Sequence, residues 1–301
     1  LSLRITSNMM NTQLLHNLNR NLSSMSEQQN QLSTGRKINK PSDDPVGVTY
    51  ALRYRSELSA NDQYQRNVDA ALGWLDTTDS VMSSAEAVMK RLKELTVQAS
   101  NGTNPQTALD SVESELQELK QQLGQLGNTQ YNGKYIFNGQ TYDIKPYDTT
   151  NPDTMKSVQT DGAPVEYTVG QGVTFQINTS GNEFFGEKDG EDNVFNIIDK
   201  ISAALKQGQY DAVSKETENI DSRLNKMLSV HAEVGARTNR VELMQSRLGD
   251  EEYGLTQLQS KTEDADMAKL MIQSNIATNI YQASLSAGAK IISPTLVDFI
   301  R

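Results

Sequence analysis

Apolar residues recur at alternating steps of three and four along most of this chain, a spacing that predicts long amphipathic helices. Before Gly35, the positions Leu15, Leu18, Leu22, Met25 and Leu32 form a heptad seam, with polar Gln29 filling one place. Gly35 suits the residue just past a helix C-terminus, where the backbone turns left-handed. Lys40-Pro41-Ser42-Asp43-Asp44-Pro45 follows, with Asp44 fitted to an N-cap and Pro45 to the first helical position. Residues 35–44 are therefore expected to be a tight connector. A second helix is expected from Pro45 to near Ser100, with Val48, Leu52, Val68, Leu72, Leu75, Met82, Met89 and Leu92 on one face. Asn101-Gly102-Thr103-Asn104-Pro105 ends it, and Leu109, Val112, Leu116, Leu119, Leu123 and Leu126 mark a third helix.

The pattern changes near residue 130. Tyr131-Asn132-Gly133-Lys134-Tyr135-Ile136-Phe137-Asn138-Gly139 sets a hairpin-type Asn-Gly turn beside an aromatic strand. Val165–Val169 and Val173–Ile177 alternate as strands do. An insert of roughly 60 residues is marginal as an independent fold. Phe175, Phe184, Phe185 and Phe195 are its expected core and its seat on the helices.

Helical spacing returns at Asn193. Ile220, Leu224, Met227, His231, Val234, Thr238, Val241, Gln245, Leu248, Glu252 and Leu255 again alternate by three and four. One helix over residues 210–290 would be about 120 Å long at 1.5 Å per residue, and such a stripe requires a partner. Ala268, Ile272, Ile276, Ile280, Ala283, Ala287 and Ile291 continue it, widened by Met267, Leu270, Met271, Tyr281 and Leu285. The expected fold is mainly α: an elongated coiled-coil bundle of N- and C-terminal arms around a small β-rich insert. Residues 1–44 and 262–301 would be terminal assembly helices, 45–130 and 193–261 a central bundle, and 131–192 the insert. The outermost segments have too few layers to fold as a free pair, so they are expected to order on assembly. The expected assembly surface is Leu15, Leu18, Leu22, Met25 and Leu32 with Ile272, Ile276, Ile280, Ile291, Leu296 and Phe299.

Composition narrows the function. Hydrophobic residues make up 36% of the 301 and there is a single Trp, which suits solvated helices more than a broad core. A net charge of −10 argues against nucleic acid as a partner. No apolar stretch approaches the roughly 18 residues of a membrane-spanning helix. The start, Leu1-Ser2-Leu3-Arg4, lacks the features of a cleaved secretory signal, which leaves a cytoplasmic protein or one exported without such a signal. With no Cys there are no disulfides or thiolate sites.

Candidate chemistry is sparse. His16 and His231 are the only histidines and neither starts an HExxH motif; His231 falls on the seam, where a structural role is expected. Gly127 to Lys134 departs from the phosphate-loop spacing, and Gly170-Gln171-Gly172 lacks the third glycine of a dinucleotide fingerprint. Glu187-Lys188-Asp189-Gly190-Glu191-Asp192 lacks calcium-loop ligand spacing. No enzyme activity, cofactor, metal or catalytic residue is expected.

Four blocks resemble the flagellin superfamily. Leu32-Ser33-Thr34-Gly35-Arg36-Lys37-Ile38-Asn39 with Ser42-Asp43-Asp44-Pro45 resembles its N-terminal signature. Arg91-Leu92-Lys93-Glu94-Leu95-Thr96-Val97-Gln98-Ala99 resembles the segment closing its second helix. Val234-Gly235-Ala236-Arg237-Thr238-Asn239-Arg240-Val241-Glu242 resembles its C-terminal coiled-coil signature, and Asp264-Ala265-Asp266-Met267-Ala268 a further motif. The signature residues are Gly35, Asp43, Asp44, Pro45, Gly235, Asn239 and Arg240. The ending Ile291-Ile292-Ser293-Pro294-Thr295-Leu296-Val297-Asp298-Phe299-Ile300-Arg301 and the Gly133–Gly139 run resemble the family's hook–filament junction members more than its filament flagellins.

That resemblance implies an extracellular structural adaptor of the bacterial flagellum, exported by the flagellar type III apparatus. The implied partners are copies of itself in a ring, the first hook-associated protein, filament flagellin and an export chaperone. The Arg91–Gln98 patch also resembles the flagellin region sensed by a vertebrate innate receptor, with a plain packing face as the competing reading. Filament flagellin is the alternative within the family, and a cytoplasmic coiled-coil scaffold the alternative outside it.

Overall fold

The computed structural model describes residues 7–102 and 104–292, with side chains over 9–102 and 104–289. Its helices are α1 (Ser7–Thr34), α2 (Pro45–Ala99), α3 (Gln106–Gly127), α4 (Gly181–Phe185), α5 (Val194–Lys206), α6 (Tyr210–Glu263) and α7 (Met267–Ile292). Two antiparallel hairpins lie between α3 and α4: β1 (Gln130–Tyr131) with β2 (Lys134–Tyr135), and β3 (Glu166–Gly170) with β4 (Val173–Gln176). The fold is thus mainly helical with a small central β region. Packing divides it into two compact units, Asn61–Asp250 and the described residues on either side; α2 and α6 contribute to both.

In the Asn61–Asp250 unit, α2 buries Val68, Ala71, Leu75, Thr78, Met82, Ala85, Met89, Leu92, Thr96 and Ala99, an unbroken alternation of three and four. On α6, Val213, Ile220, Met227, Val234, Val241 and Leu248 are buried at every seventh position. A strict heptad keeps one face toward a partner along many turns, so both sequences specify coiled-coil packing. The pair is antiparallel: Asn61 Nδ2 donates to the Leu248 carbonyl at 3.1 Å, and Lys93 pairs with Asp221 at 2.6 Å. A second buried row on α2, Trp74, Val81, Val88 and Leu95, adds another packing face. Arg91 reaches Glu115 of α3 at 2.8 Å, and α3 carries buried Leu109, Val112, Leu116 and Leu123.

α5 also packs against α3. Asn193 caps it as its side chain accepts from the Phe195 and Asn196 amides, so the helix starts where the sequence places it. The seam between them contains Lys120, which is fully buried and meets Asp199 at 2.5 Å. Lys156 adds a second cation to Asp199 at 3.3 Å. A buried ammonium persists only when paired this way.

The insert follows its turn signals. Asn132 and Gly133 both have positive φ, 50° and 77°, as a tight hairpin turn requires. β3 and β4 match the two alternating runs closely. Ile136 and Phe137 are fully buried, and Phe137 joins Phe184, Phe185, Tyr147 and Phe195 in a box of ring contacts. The box docks where α3 is smallest: a Cβ at Gly127 would lie 2.6 Å from the Tyr147 ring. Arg223, only 3% exposed, donates to the carbonyls of Asp192 and Glu183, while Arg237 donates to the Asn178 carbonyl.

Two expectations need correction. The helix expected over 210–290 is interrupted between Glu263 and Met267. There Asp266 caps α7, its carboxylate accepting from the Lys269 amide at 3.0 Å. Leu52, expected on the buried face of α2, is 58% exposed, because the covered row in that stretch runs through Gly47 and Ala51.

Candidate assembly surface

The unit outside Asn61–Asp250 is built on α1 and α7, which pack against each other. Two contacts fix their sense. Gly35 just past the end of α1 accepts from the Ala265 amide at 3.0 Å, and Leu14 packs so closely on Gly288 that a Cβ there would lie 2.8 Å from Leu14 Cδ2. The helices are therefore antiparallel.

At the connected end, the linkers between α1 and α2 and between α6 and α7 are knitted together. Arg36 and Asp264 form an isolated antiparallel bridge, and the Lys37 amide donates to the Glu263 carbonyl at 2.6 Å. The Glu263 side chain is 3% exposed, accepts from Arg55 Nη2 at 2.5 Å and has Arg36 Nε at 3.7 Å. That hydrogen bond, with burial opposing it, raises the Arg55 pKa.

The signature residues account for this geometry. Gly35 has φ +70°, the left-handed conformation that ends α1. The Asp43 carboxylate accepts from the Lys40 and Asn39 amides, which holds its pKa below the usual carboxylate value. Asp44 Oδ1 accepts from the Gly47 amide at 2.9 Å and caps α2, whose first residue is Pro45. In the other unit, the Arg240 guanidinium lies 4.4 Å from the Phe175 ring centre and braces β4. Asn239 is exposed, and Gly235, half-buried, has open space where a side chain would stand.

The expected assembly residues separate into two groups. On α1 Asn11, Leu14, Leu18, Asn21, Met25, Gln28 and Leu32 form a half-buried row, again in steps of three and four, with Gln31 half-buried beside it. Leu18, Met25 and Leu32 therefore face α7, an intramolecular seam and not a free surface. Leu15 and Leu22 lie beside that seam and stay 59% and 43% exposed. The apolar stripe and the half-buried row differ because three of the seven positions in that row, Asn11, Asn21 and Gln28, are polar. On α7 the covered row is Leu270, Ser274, Ala277, Tyr281, Ser284 and Gly288, mostly small residues that let α1 approach. The expected Ile272, Ile276 and Ile280 are all exposed, at 60%, 51% and 47%. Met271 and Leu285 are exposed as well. The Ile291 side chain, Leu296 and Phe299 lie outside the described residues.

Heptad positions sort the exposed apolar residues onto two sides of the pair. Leu15, Leu22, Met271 and Leu285 occupy flanking positions that face each other in an antiparallel pair. Ile276 and Ile280 lie on the opposite flank, where they line a groove with Asn21, Ser24 and Gln28. Among the described residues no group of three or more His, Asp or Glu side chains is arranged to hold a metal ion, and no helix is long and apolar enough to cross a membrane.

A helical bundle that leaves apolar residues exposed beside its α1–α7 seam has the form of a protein that packs against other proteins. The chain matches the bacterial flagellin N-terminal helical region over residues 5–141 and the C-terminal helical region over 217–300. It is 27% identical to a flagellin of Bacillus subtilis, spanning 94% of this chain and 95% of that one. It is 27% identical to flagellar hook-associated protein 3 of Escherichia coli, spanning 95% and 96%. The flagellar junction protein FlgL of Legionella pneumophila superposes with a TM-score of 0.56 at 16% identity, covering 71% of this chain and all of that one, a likeness of fold. The chain belongs to the flagellin family, and it is a structural component of the extracellular flagellum, not an enzyme.

Proposed function

We propose that the protein is the adaptor that joins the flagellar hook, through the first hook-associated protein, to the filament. The observation that carries the assembly part is the pair of apolar stripes on opposite flanks of the α1–α7 seam. A two-fold dimer would cover one flank and leave the other in water. Two flanks require a neighbour on each side, which a closed ring or a tube supplies. Each exposed isoleucine or leucine buried there contributes on the order of 1 kcal/mol, since about half of its surface is already covered.

The adaptor assignment rests on the residues at 291–301 and on the Gly133–Gly139 run, both similar in sequence to junction members of the family. Hook-associated protein 3 of Escherichia coli matches along nearly its whole length, which supports the same reading. The equal identity to the Bacillus subtilis flagellin supports the second reading, filament flagellin itself. In either case subunits would leave the cell through the flagellar export channel, with a chaperone holding the C-terminal arm beforehand. The ion pairs of Arg91 with Glu94 and Glu115, and of Lys93 with Asp221, favour a packing face over receptor recognition for Arg91–Gln98.

Deleting the gene separates the readings. Loss of an adaptor leaves hooks intact and spills monomeric flagellin into the medium. Loss of the filament protein leaves hooks capped and no flagellin outside the cell, which would refute the adaptor assignment.

A further inference from the structure

His231 stands on α6 with a carboxylate at each ring nitrogen. Glu86 Oε1 lies 2.7 Å from Nδ1, and Asp79 Oδ1 lies 2.8 Å from Nε2. Both partners come from α2, two turns apart, so the ring spans the α2–α6 seam. Ionised carboxylates only accept hydrogen bonds, and a neutral imidazole has one donor and one acceptor. Two short contacts to two carboxylates are therefore satisfied together only when both ring nitrogens carry protons. We propose that His231 is a proton-dependent clamp on the α2–α6 seam: the imidazolium ties down both Asp79 and Glu86, and the neutral ring keeps Glu86 and releases Asp79.

Burial decides which partner is kept. The Glu86 side chain is 8% exposed and the Asp79 side chain 55%. A buried carboxylate without a donor is costly, whereas an exposed one rotates into water at little cost. Deprotonation thus favours the tautomer with the proton on Nδ1 and leaves the Nε2 lone pair facing Asp79, which moves away. The charged neighbours of His231 on α6 are engaged elsewhere: Lys226 with Asp192 and Glu233 with Arg237. From the insert, Asp192 pairs with Arg223, and Glu187 acts on Arg223 through its charge. Asp79 and Glu86 are thus the charged groups that set its protonation. Burial alone lowers the His231 pKa, but the hydrogen bonds and charges of Asp79 and Glu86 outweigh it and raise the pKa above the ordinary 6.5. A raised native pKa gives stability that is complete below the unfolded value and lost as pH rises through the native one.

The test uses the full chain carrying His16→Gln, so that one histidine remains to titrate by 13C-detected NMR. The His231 signal is expected to titrate above pH 6.5, and Asp79→Asn to move that midpoint down. The thermal midpoint, read by the fluorescence of Trp74, should fall between pH 6 and pH 9, and His231→Gln should flatten that fall. Asp79→Asn should flatten it too, because its amide can donate to the neutral Nε2. A His231 midpoint at or below 6.5 in the His16→Gln protein would overturn the clamp. So would thermal profiles that run parallel with and without His231. The NMR titration needs no substitution at the clamp itself, so it decides the matter even where a clamp variant fails to fold.

Discussion

Replacing Ile276 with Asp should uncouple export from incorporation. Ile276 is 51% exposed on α7, so the substitution removes little packing within the subunit. Surface changes of this kind usually stay within about 0.5 kcal/mol. In the proposed assembly the same position faces a neighbour. The lost burial is about 1 kcal/mol, and seating a polar group without a partner in an apolar contact adds at least about 2 kcal/mol. A loss of about 3 kcal/mol per contact corresponds to roughly a 100-fold weaker association. The assay is complementation of a strain lacking the gene, with immunoblots of the medium and of the sheared flagellar fraction. Ile276→Asp should appear in the medium at normal levels and nearly vanish from the flagellar fraction, while Ile276→Leu should behave as the parent. Normal incorporation of Ile276→Asp would refute the reasoning. Loss of helical circular dichroism comparable to full unfolding would refute it equally, since the residue would then be part of the subunit's own core.

Met227→Ala, which opens a hole in the fully buried heptad row of α6, should cost about 2–5 kcal/mol in chemical denaturation of the central unit. Asp44→Ala deletes the cap on the Gly47 amide and should cost about 1 kcal/mol, seen as a lower thermal midpoint. Lys120→Ala should destabilise by about 3–5 kcal/mol in the same denaturation assay, and Lys120→Met by less, because the apolar chain refills the buried space.

The sequence announces the parts of the fold that local chemistry controls. Asp44 and Pro45 mark the start of α2, Asn132-Gly133 marks a hairpin, and Val234 with its relatives seven residues apart marks a seam. Each of these is decided by residues within one or two turns of one another. The α1 seam is different. Asn11, Asn21 and Gln28 occupy covered positions, so the apolar stripe and the buried face no longer coincide. The break before α7 contains neither glycine nor proline. It depends on Asp264 pairing with Arg36 and on Asp266 as a cap, and only the first of these is a long-range contact. The ion pair of Lys120 with Asp199 and the carboxylates around His231 join residues 79 to 152 positions apart, beyond the reach of any periodicity. For the proposed surface, periodicity places Ile272, Ile276 and Ile280 on an apolar stripe, and in the fold they are exposed, as are Leu15 and Leu22. Their separation onto two flanks depends on the pairing of α7 with α1, which periodicity does not specify.

The central claim is that sister subunits complete the α1–α7 pair. Amide hydrogen exchange over residues 7–34 and 267–292 tests it, comparing dilute monomer with the same subunits in purified flagella. The account predicts rapid exchange in the monomer and protection greater by orders of magnitude after incorporation, while Asn61–Asp250 is protected in both. Equal, strong protection of the two terminal helices in the dilute monomer would contradict it.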